Sequence, residues 1–217
     1  MALRINDTIP DLTVTTDLGE ISLHEWVGDS WAILFSHPKD FTPVCTTEFG
    51  AVAQLADEWE KRGTKVMGIS VDGVEEHVRW KDDIATVAGA APAFPIVADK
   101  DLALSKAFDM LPAEAYLPDG RTPNDTATVR AVFIIGPDKK LKLSMVYPMT
   151  VGRNFAEVLR ALDGLQTSSS RGVATPANWN VGDDVIIPAT VSDDDAKAKF
   201  GSFKTVLPYL RTTSLKS

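Results

Sequence analysis

The run Trp31-Ala32-Ile33-Leu34-Phe35-Ser36 is apolar at every position but the last, and it passes through a proline-flanked loop straight into a helical pattern. A short continuous apolar run reads as a buried strand. From Thr46 onward the apolar residues Phe49, Val52, Ala53, Ala56 and Trp59 recur on one helical face, Asp57/Lys61 and Glu58/Arg62 form i,i+4 pairs, and Gly63 supplies the stop. A buried strand therefore feeds a helix through the loop Pro38-Lys39-Asp40-Phe41-Thr42-Pro43-Val44-Cys45, and the 217-residue chain has no other cysteine.

The remainder alternates in the same way. Leu12 to Thr16 and Glu20 to Leu23 flank the hairpin signal Asp17-Leu18-Gly19. Lys65 to Val71 reads as a strand, followed by a helix that starts at Asp72-Gly73-Val74-Glu75 and turns Val74, Val78 and Ile84 inward. Pro95 to Ala98 is a short strand, Asp99 caps the helix of Leu102, Lys106 and Phe108, and Thr128 to Ile135 is a long strand. Gly136-Pro137-Asp138-Lys139 turns the chain into Leu141 to Tyr147, and Phe155 to Leu162 forms a helix. This order predicts an α/β fold, a thioredoxin-like mixed sheet with flanking helices.

Beyond Leu165 the run Gln166-Thr167-Ser168-Ser169-Ser170-Arg171-Gly172 reads as a polar linker, which sets domains at 1–165 and 166–217. The tail holds Val185-Ile186-Ile187, Phe200, Phe203, Val206, Leu207 and Tyr209, too much apolar surface to leave wet and little for a core of its own. It is expected to be a small α+β domain that docks on its own chain or serves as a dimer arm. Asp193-Asp194-Asp195 suits a helix start, with metal binding as a second reading.

Composition excludes several classes. A formal net charge of −8 disfavours nucleic acid and anionic membranes as partners, and no apolar run is long enough to cross a bilayer. The start Met1-Ala2-Leu3-Arg4-Ile5-Asn6-Asp7 lacks the pattern of a secretory signal, and one cysteine cannot form an internal disulfide. A reducing, cytoplasmic setting with no stable membrane association is the expectation.

A lone cysteine is often an inert buried hydrophobe. At a helix start, however, the peptide dipoles and unpaired N–H groups favour the thiolate, the reactive form. Thr42 offers a hydroxyl that can accept from a ligand while donating to sulfur, and Pro38 and Pro43 stiffen the loop without needing donors. Arg130 lies inside the apolar strand Val129-Arg130-Ala131-Val132-Phe133-Ile134-Ile135, where a guanidinium needs an anion nearby. Glu48 is the expected partner, orienting Arg130 toward Cys45. His37, beside the motif, either tunes the sulfur, contacts the reductant or simply packs.

The stretch Phe35-Ser36-His37-Pro38 through Cys45-Thr46-Thr47-Glu48, with Arg130, Gly136-Pro137-Asp138-Lys139-Lys140-Leu141, Tyr147-Pro148 and Gly152-Arg153-Asn154, resembles the one-cysteine peroxiredoxins of the peroxiredoxin-six type. Ala174-Thr175-Pro176-Ala177-Asn178-Trp179 and Gly182-Asp183-Asp184-Val185 resemble that group's C-terminal domain, so the likeness covers nearly the whole chain. The resemblance implies a thiol-dependent peroxidase acting on hydrogen peroxide and organic hydroperoxides, with no metal or flavin cofactor. It makes Cys45 the nucleophile, has Thr42 and Arg130 hold the peroxide oxygens, has Pro38 shield the sulfur, and places Arg153 behind them, with a surface ion pair as that residue's alternative. With no second cysteine, the sulfenic acid must be reduced by an external thiol or another small reductant. A homodimer or higher oligomer is the expected assembly.

Two other readings remain open. Members of the resembled group also hydrolyse phospholipids, and His24, Ser30 and Asp138 occupy the matching positions, although Gly28-Asp29-Ser30-Trp31-Ala32 lacks the last glycine of G-x-S-x-G and its serine precedes a strand. A redox-responsive chaperone on the same frame is the non-catalytic reading. Cys45-Thr46-Thr47-Glu48 lacks the second cysteine of a disulfide oxidoreductase.

Overall fold

The computed structural model of the chain describes residues 3–122 and 124–215, so Met1 and Ala2 of the N-terminal reading lie outside the described residues. Two compact units form, Met1–Arg153 and Asn154–Ser217. In the first, the elements run β1 (Thr13–Thr16), β2 (Gly19–Ser22), α1 (Leu23–Val27), β3 (Trp31–Ser36), α2 (Pro43–Gln54), α3 (Ala56–Lys61), β4 (Thr64–Ser70), α4 (Val74–Ala88), β5 (Ile96–Ala98), α5 (Ala103–Ala107), β6 (Arg130–Ile135) and β7 (Leu141–Tyr147).

The seven strands form one mixed sheet in the order β2-β1-β5-β4-β3-β6-β7. The β3–β4 and β4–β5 pairs are parallel, and the others are antiparallel. Strand β3 sits between β4 and β6, so all of its residues after Trp31 are buried. Ala32, Leu34, Met67, Ile69, Ala131 and Phe133 belong to one core cluster. Phe35 packs instead on Phe49 of α2 at 4.7 Å between ring centroids, and Phe49 packs on Trp80 of α4 at the same separation. The helix carrying Cys45 is thereby seated between the sheet and α4.

Two glycines permit this seating. A Cβ on Gly68 of β4 would lie 2.7 Å from the Phe49 ring, and one on Gly50 of α2 would lie 2.6 Å from Ala88 Cβ. Neither distance is tolerable unless the Phe49 ring, in the first case, or the spacing of α2 and α4, in the second, gives way.

Several local expectations are corrected. The helix starts at Pro43 rather than Thr46, because proline at the first helical position needs no donor, and this puts Cys45 inside the first turn. The helical stretch also breaks at Leu55, where Trp59 Nε1 donates to the Val52 carbonyl (3.0 Å) and α3 begins. In α4 the inward residues are His77, Trp80 and Ile84, while Val78 is 51% exposed. Asp99 does cap α5, accepting from the N–H groups of Leu104 and Ser105.

The second unit contains α6 (Phe155–Arg171), β8 (Val185–Ile187), α7 (Asp193–Phe200), β9 (Lys204–Leu207) and β10 (Leu210–Thr213). The supposed linker is the end of α6, which begins at Asn154, whose side chain accepts from Ala156 and Glu157 N–H, and stops at Gly172 in the left-handed region (φ 62°). The compact units accordingly divide before this helix rather than after Leu165. The strands form a sheet in the order β8-β10-β9 over a small core of Val173, Trp179 and Val185. Asp193 to Asp195 form the first turn of α7, where Ser192 caps and Arg211 pairs with Asp193 at 2.6 Å.

Candidate active site

Strand β3 delivers the loop. At its end Ser36 Oγ donates to the Val129 carbonyl (2.6 Å) and accepts from Ala131 N–H (3.0 Å), which ties the loop's entry to the strand bearing Arg130. Pro38 is buried, and Thr42 is the extended N-cap of α2 (φ −117°, ψ 146°). Its hydroxyl donates to the Lys39 carbonyl (2.9 Å). The expected donation from Thr42 to sulfur is therefore replaced by a bond that closes the loop on itself, leaving the oxygen's lone pairs to accept.

Cys45 is the third residue of α2, where backbone N–H groups have no acceptor within the helix. Its side chain is wholly buried. Arg130 Nη1 donates to Cys45 Sγ at 3.3 Å and to Glu48 Oε2 at 2.7 Å, while its Nε donates to the Met149 carbonyl at 2.8 Å. One guanidinium is thus fixed by two oxygens and aimed at the sulfur.

Arg153 completes the cluster from behind. Its Nε and Nη2 donate to the two oxygens of Glu48 (2.9 and 2.7 Å), its backbone N–H donates to Oε1 (2.8 Å), and Nη1 donates to the Ala131 carbonyl (2.8 Å). The guanidinium lies 5.3 Å from the Phe35 ring centroid. The alternative of a surface ion pair fails, since the Arg153 side chain is fully buried. Burial alone would raise Glu48's carboxyl, but the hydrogen bonds and charge of Arg153, with the charge of Arg130, outweigh it and hold Glu48 below the usual carboxylate range. Burial likewise pulls Arg153 down, opposed by Glu48. Two buried cations face one carboxylate, which leaves one positive charge uncompensated beside Cys45.

His37 is fully buried, stacked on Trp80 (5.0 Å) and edge-on to Phe49 (4.5 Å), with Nε2 on Asp40 Oδ1 (2.7 Å) and Nδ1 without a partner. It is thus a packed imidazole with no surface for a reductant. Sequence reasoning missed its neighbours: Asp40 is buried in the loop and His77 Nδ1 meets Asp40 Oδ2 at 2.6 Å.

The residues of the hydrolase reading are not joined. His24 Nε2 bonds the Ile9 carbonyl (2.8 Å), its nearest carboxylate is Asp11 (3.9 Å), and the exposed Asp138 pairs with Lys142 (2.7 Å). Ser30 sits in the turn before β3, its N–H on the Val27 carbonyl. Among the described residues the tightest potential metal cluster is His37, Asp40 and Asp72, whose polar atoms mostly bond one another.

Residues 5–144 match the model of the AhpC/TSA family, and residues 164–202 match the C-terminal domain of 1-Cys peroxiredoxin. The mitochondrial peroxiredoxin PRX1 of Saccharomyces cerevisiae is 48% identical over 99% of this chain and 82% of its own length, and peroxiredoxin-6 of Rattus norvegicus is 48% identical over 97% of each. Among solved structures, the yeast mitochondrial 1-Cys peroxiredoxin, studied for thiol resolution through glutathione and thioredoxin systems, superposes with a TM-score of 0.89 at 48% identity over 98% of this chain and all of that one. A cysteine-to-serine variant of peroxiredoxin 6 from Arenicola marina gives 0.91 at 42% identity over the whole of both chains. Both parts of the chain are matched in order by the two halves of one kind of protein, and its single thiol lies where a nucleophile can be activated: this chain belongs to the 1-Cys peroxiredoxins of the AhpC/TSA family and is a thiol peroxidase.

Proposed function

We propose that Cys45, as a thiolate, attacks a hydroperoxide held by Arg130 and Thr42. The observation that carries this reading is the Arg130 guanidinium 3.3 Å from Sγ, within a cluster that has one more cation than carboxylate. The sulfur donates an electron pair to the nearer peroxide oxygen and the O–O bond breaks. Charge developing on the departing oxygen is met by Arg130 and the first-turn N–H groups, and that oxygen leaves as water or an alcohol after taking a proton. Thr42, its own hydrogen spent on Lys39, accepts from the peroxide O–H. Buried Pro38 offers water no donor and shields the sulfur.

Cys45 is left as a sulfenic acid. Because the chain holds no second cysteine, an external thiol attacks it, releasing water and forming a mixed disulfide, and a second thiol returns Cys45 to the reduced form. A lone free thiol fits a reducing compartment, with the cytoplasm as our assignment and the mitochondrion, named for the yeast relative, as the alternative. Stopped-flow oxidation by hydrogen peroxide and by an alkyl hydroperoxide tests the reading: wild type oxidises rapidly, Cys45→Ser does not, and peroxide turnover in Cys45→Ser would overturn it.

A further inference from the structure

Asp40 is where the ends of β3 and β4 and helix α4 converge on the cysteine loop. Its two carboxylate oxygens accept from His37 Nε2 at the end of β3 (2.7 Å) and from His77 Nδ1 in α4 (2.6 Å). Its N–H donates to Asp72 Oδ2 between β4 and α4 (2.9 Å), and Ser70 Oγ at the end of β4 donates to that same Asp72 oxygen (2.8 Å). His37, Asp40, Ser70, Asp72 and His77 are all buried. The carbonyl of His37 accepts from Thr128 Oγ1 (2.8 Å), two residues before Arg130. One hydrogen-bonded set thus touches both the loop that carries the thiol and the segment that carries the guanidinium.

The loop it holds is strained. Phe41 has φ +54° and is 49% exposed, directly between buried Asp40 and the N-cap Thr42. A bulky side chain in the left-handed region costs on the order of 1–2 kcal/mol, so its surroundings must enforce it. Helix α4 supplies that enforcement twice, three residues apart: His77 holds Asp40, and Trp80 Nε1 donates to Thr46 Oγ1 (3.1 Å), the residue after Cys45.

We propose that His77 is a positioning residue for peroxide reduction: through Asp40 it fixes the strained Pro38–Pro43 loop so that Cys45 and Thr42 stay in register with Arg130. His77 touches no substrate and acts only through the carboxylate, and its required feature is one N–H at the Nδ1 position. The proposal rests on the peroxidase reading above.

Three variants separate this role from mere packing. In His77→Asn the amide nitrogen can take the place of Nδ1, whereas in His77→Gln it falls near Nε2, which faces the Val97 carbonyl, and in His77→Leu no donor remains. The rate constant for oxidation by hydrogen peroxide should stay within about threefold of wild type in His77→Asn and fall about tenfold or more in His77→Gln and His77→Leu. Reduction of the sulfenic acid by dithiothreitol should be unchanged in all three. His77→Gln matching His77→Asn overturns the proposal, as does a wild-type oxidation rate in His77→Leu or a parallel loss in the reductive step. If His77→Leu does not fold, the two amide variants decide alone. Peroxide turnover in Cys45→Ser would instead sink the underlying reading and leave the clamp without a reaction to serve.

Discussion

Arg130 uses a fork that no other side chain can reproduce, with Nε on the Met149 carbonyl and Nη1 shared between Glu48 and the sulfur. A lysine has the charge but cannot span those partners. Arg130→Lys should therefore keep the fold yet lower the rate constant for peroxide oxidation about 10²-fold, read by stopped flow, because charge on the departing oxygen loses its fixed donor. A loss below threefold would show that charge alone suffices.

The buried network around Asp40 sets an acid limit. Asp40 is held at about 2 against the ordinary 3.8, because the bonds and charges of His37 and His77 outweigh a burial that would raise it. Its folded value lies below its unfolded one, so its stabilisation, roughly 2 kcal/mol, is complete above pH 3.8 and lost as pH falls toward 2. His37 is also depressed, chiefly by burial, so it disfavours the fold as pH drops below the ordinary 6.5, where the unfolded chain takes the proton first. Denaturant unfolding should show stability beginning to fall near pH 6.5 and falling further below pH 3.8, and Asp40→Asn should shrink the loss below pH 3.8, leaving the part that belongs to Glu48. Arg130 was legible in the sequence because a cation in an apolar strand demands an anion. Asp40 and His77 were not, since an aspartate beside prolines reads as a turn former and its partner lies far along the chain.

At the scale of elements, the cysteine turn is placed by what packs behind α2. Gly68→Ala puts a methyl 2.7 Å from the Phe49 ring, one turn beyond Cys45, and Phe49 has no free space to retreat into between Phe35 and Trp80. The substitution should cost about 1–3 kcal/mol and slow peroxide oxidation together, measured by denaturation and stopped flow. Lost stability with an unchanged rate would mean that α2 moves without disturbing Sγ. Strands β3, β6 and β7 were readable from apolar content and from the Gly136 turn, with β7 reproduced to the residue. Helix ends were harder. The break at Leu55 depends on an indole reaching back to a carbonyl, and α6 runs through the four weak helix formers Thr167 to Ser170 because caps at both ends and half-burial along Gln166 to Ser168 sustain it.

For the whole molecule, the sequence carried the fold class and the reaction because both rest on a local strand–loop–helix unit, whereas assembly depends on surfaces. Strand β9 is exposed along its length, with Val206, Leu207 and neighbouring Tyr209 (72% exposed) open on a sheet edge. Unpaired apolar edges invite another strand, and natural proteins cover or charge them. In a homodimer, the assembly expected for this chain, a second copy would cover this edge, the arm-like role read for the tail. Val206→Glu with Tyr209→Glu changes residues that are open in the isolated chain, so folding stability should move by no more than about 0.5 kcal/mol. Burying those charges at an interface would cost several times that, and sedimentation equilibrium should show the mass fall from dimer to monomer at micromolar concentration. A double variant with the wild-type mass and unaltered concentration dependence would remove β9 from the interface.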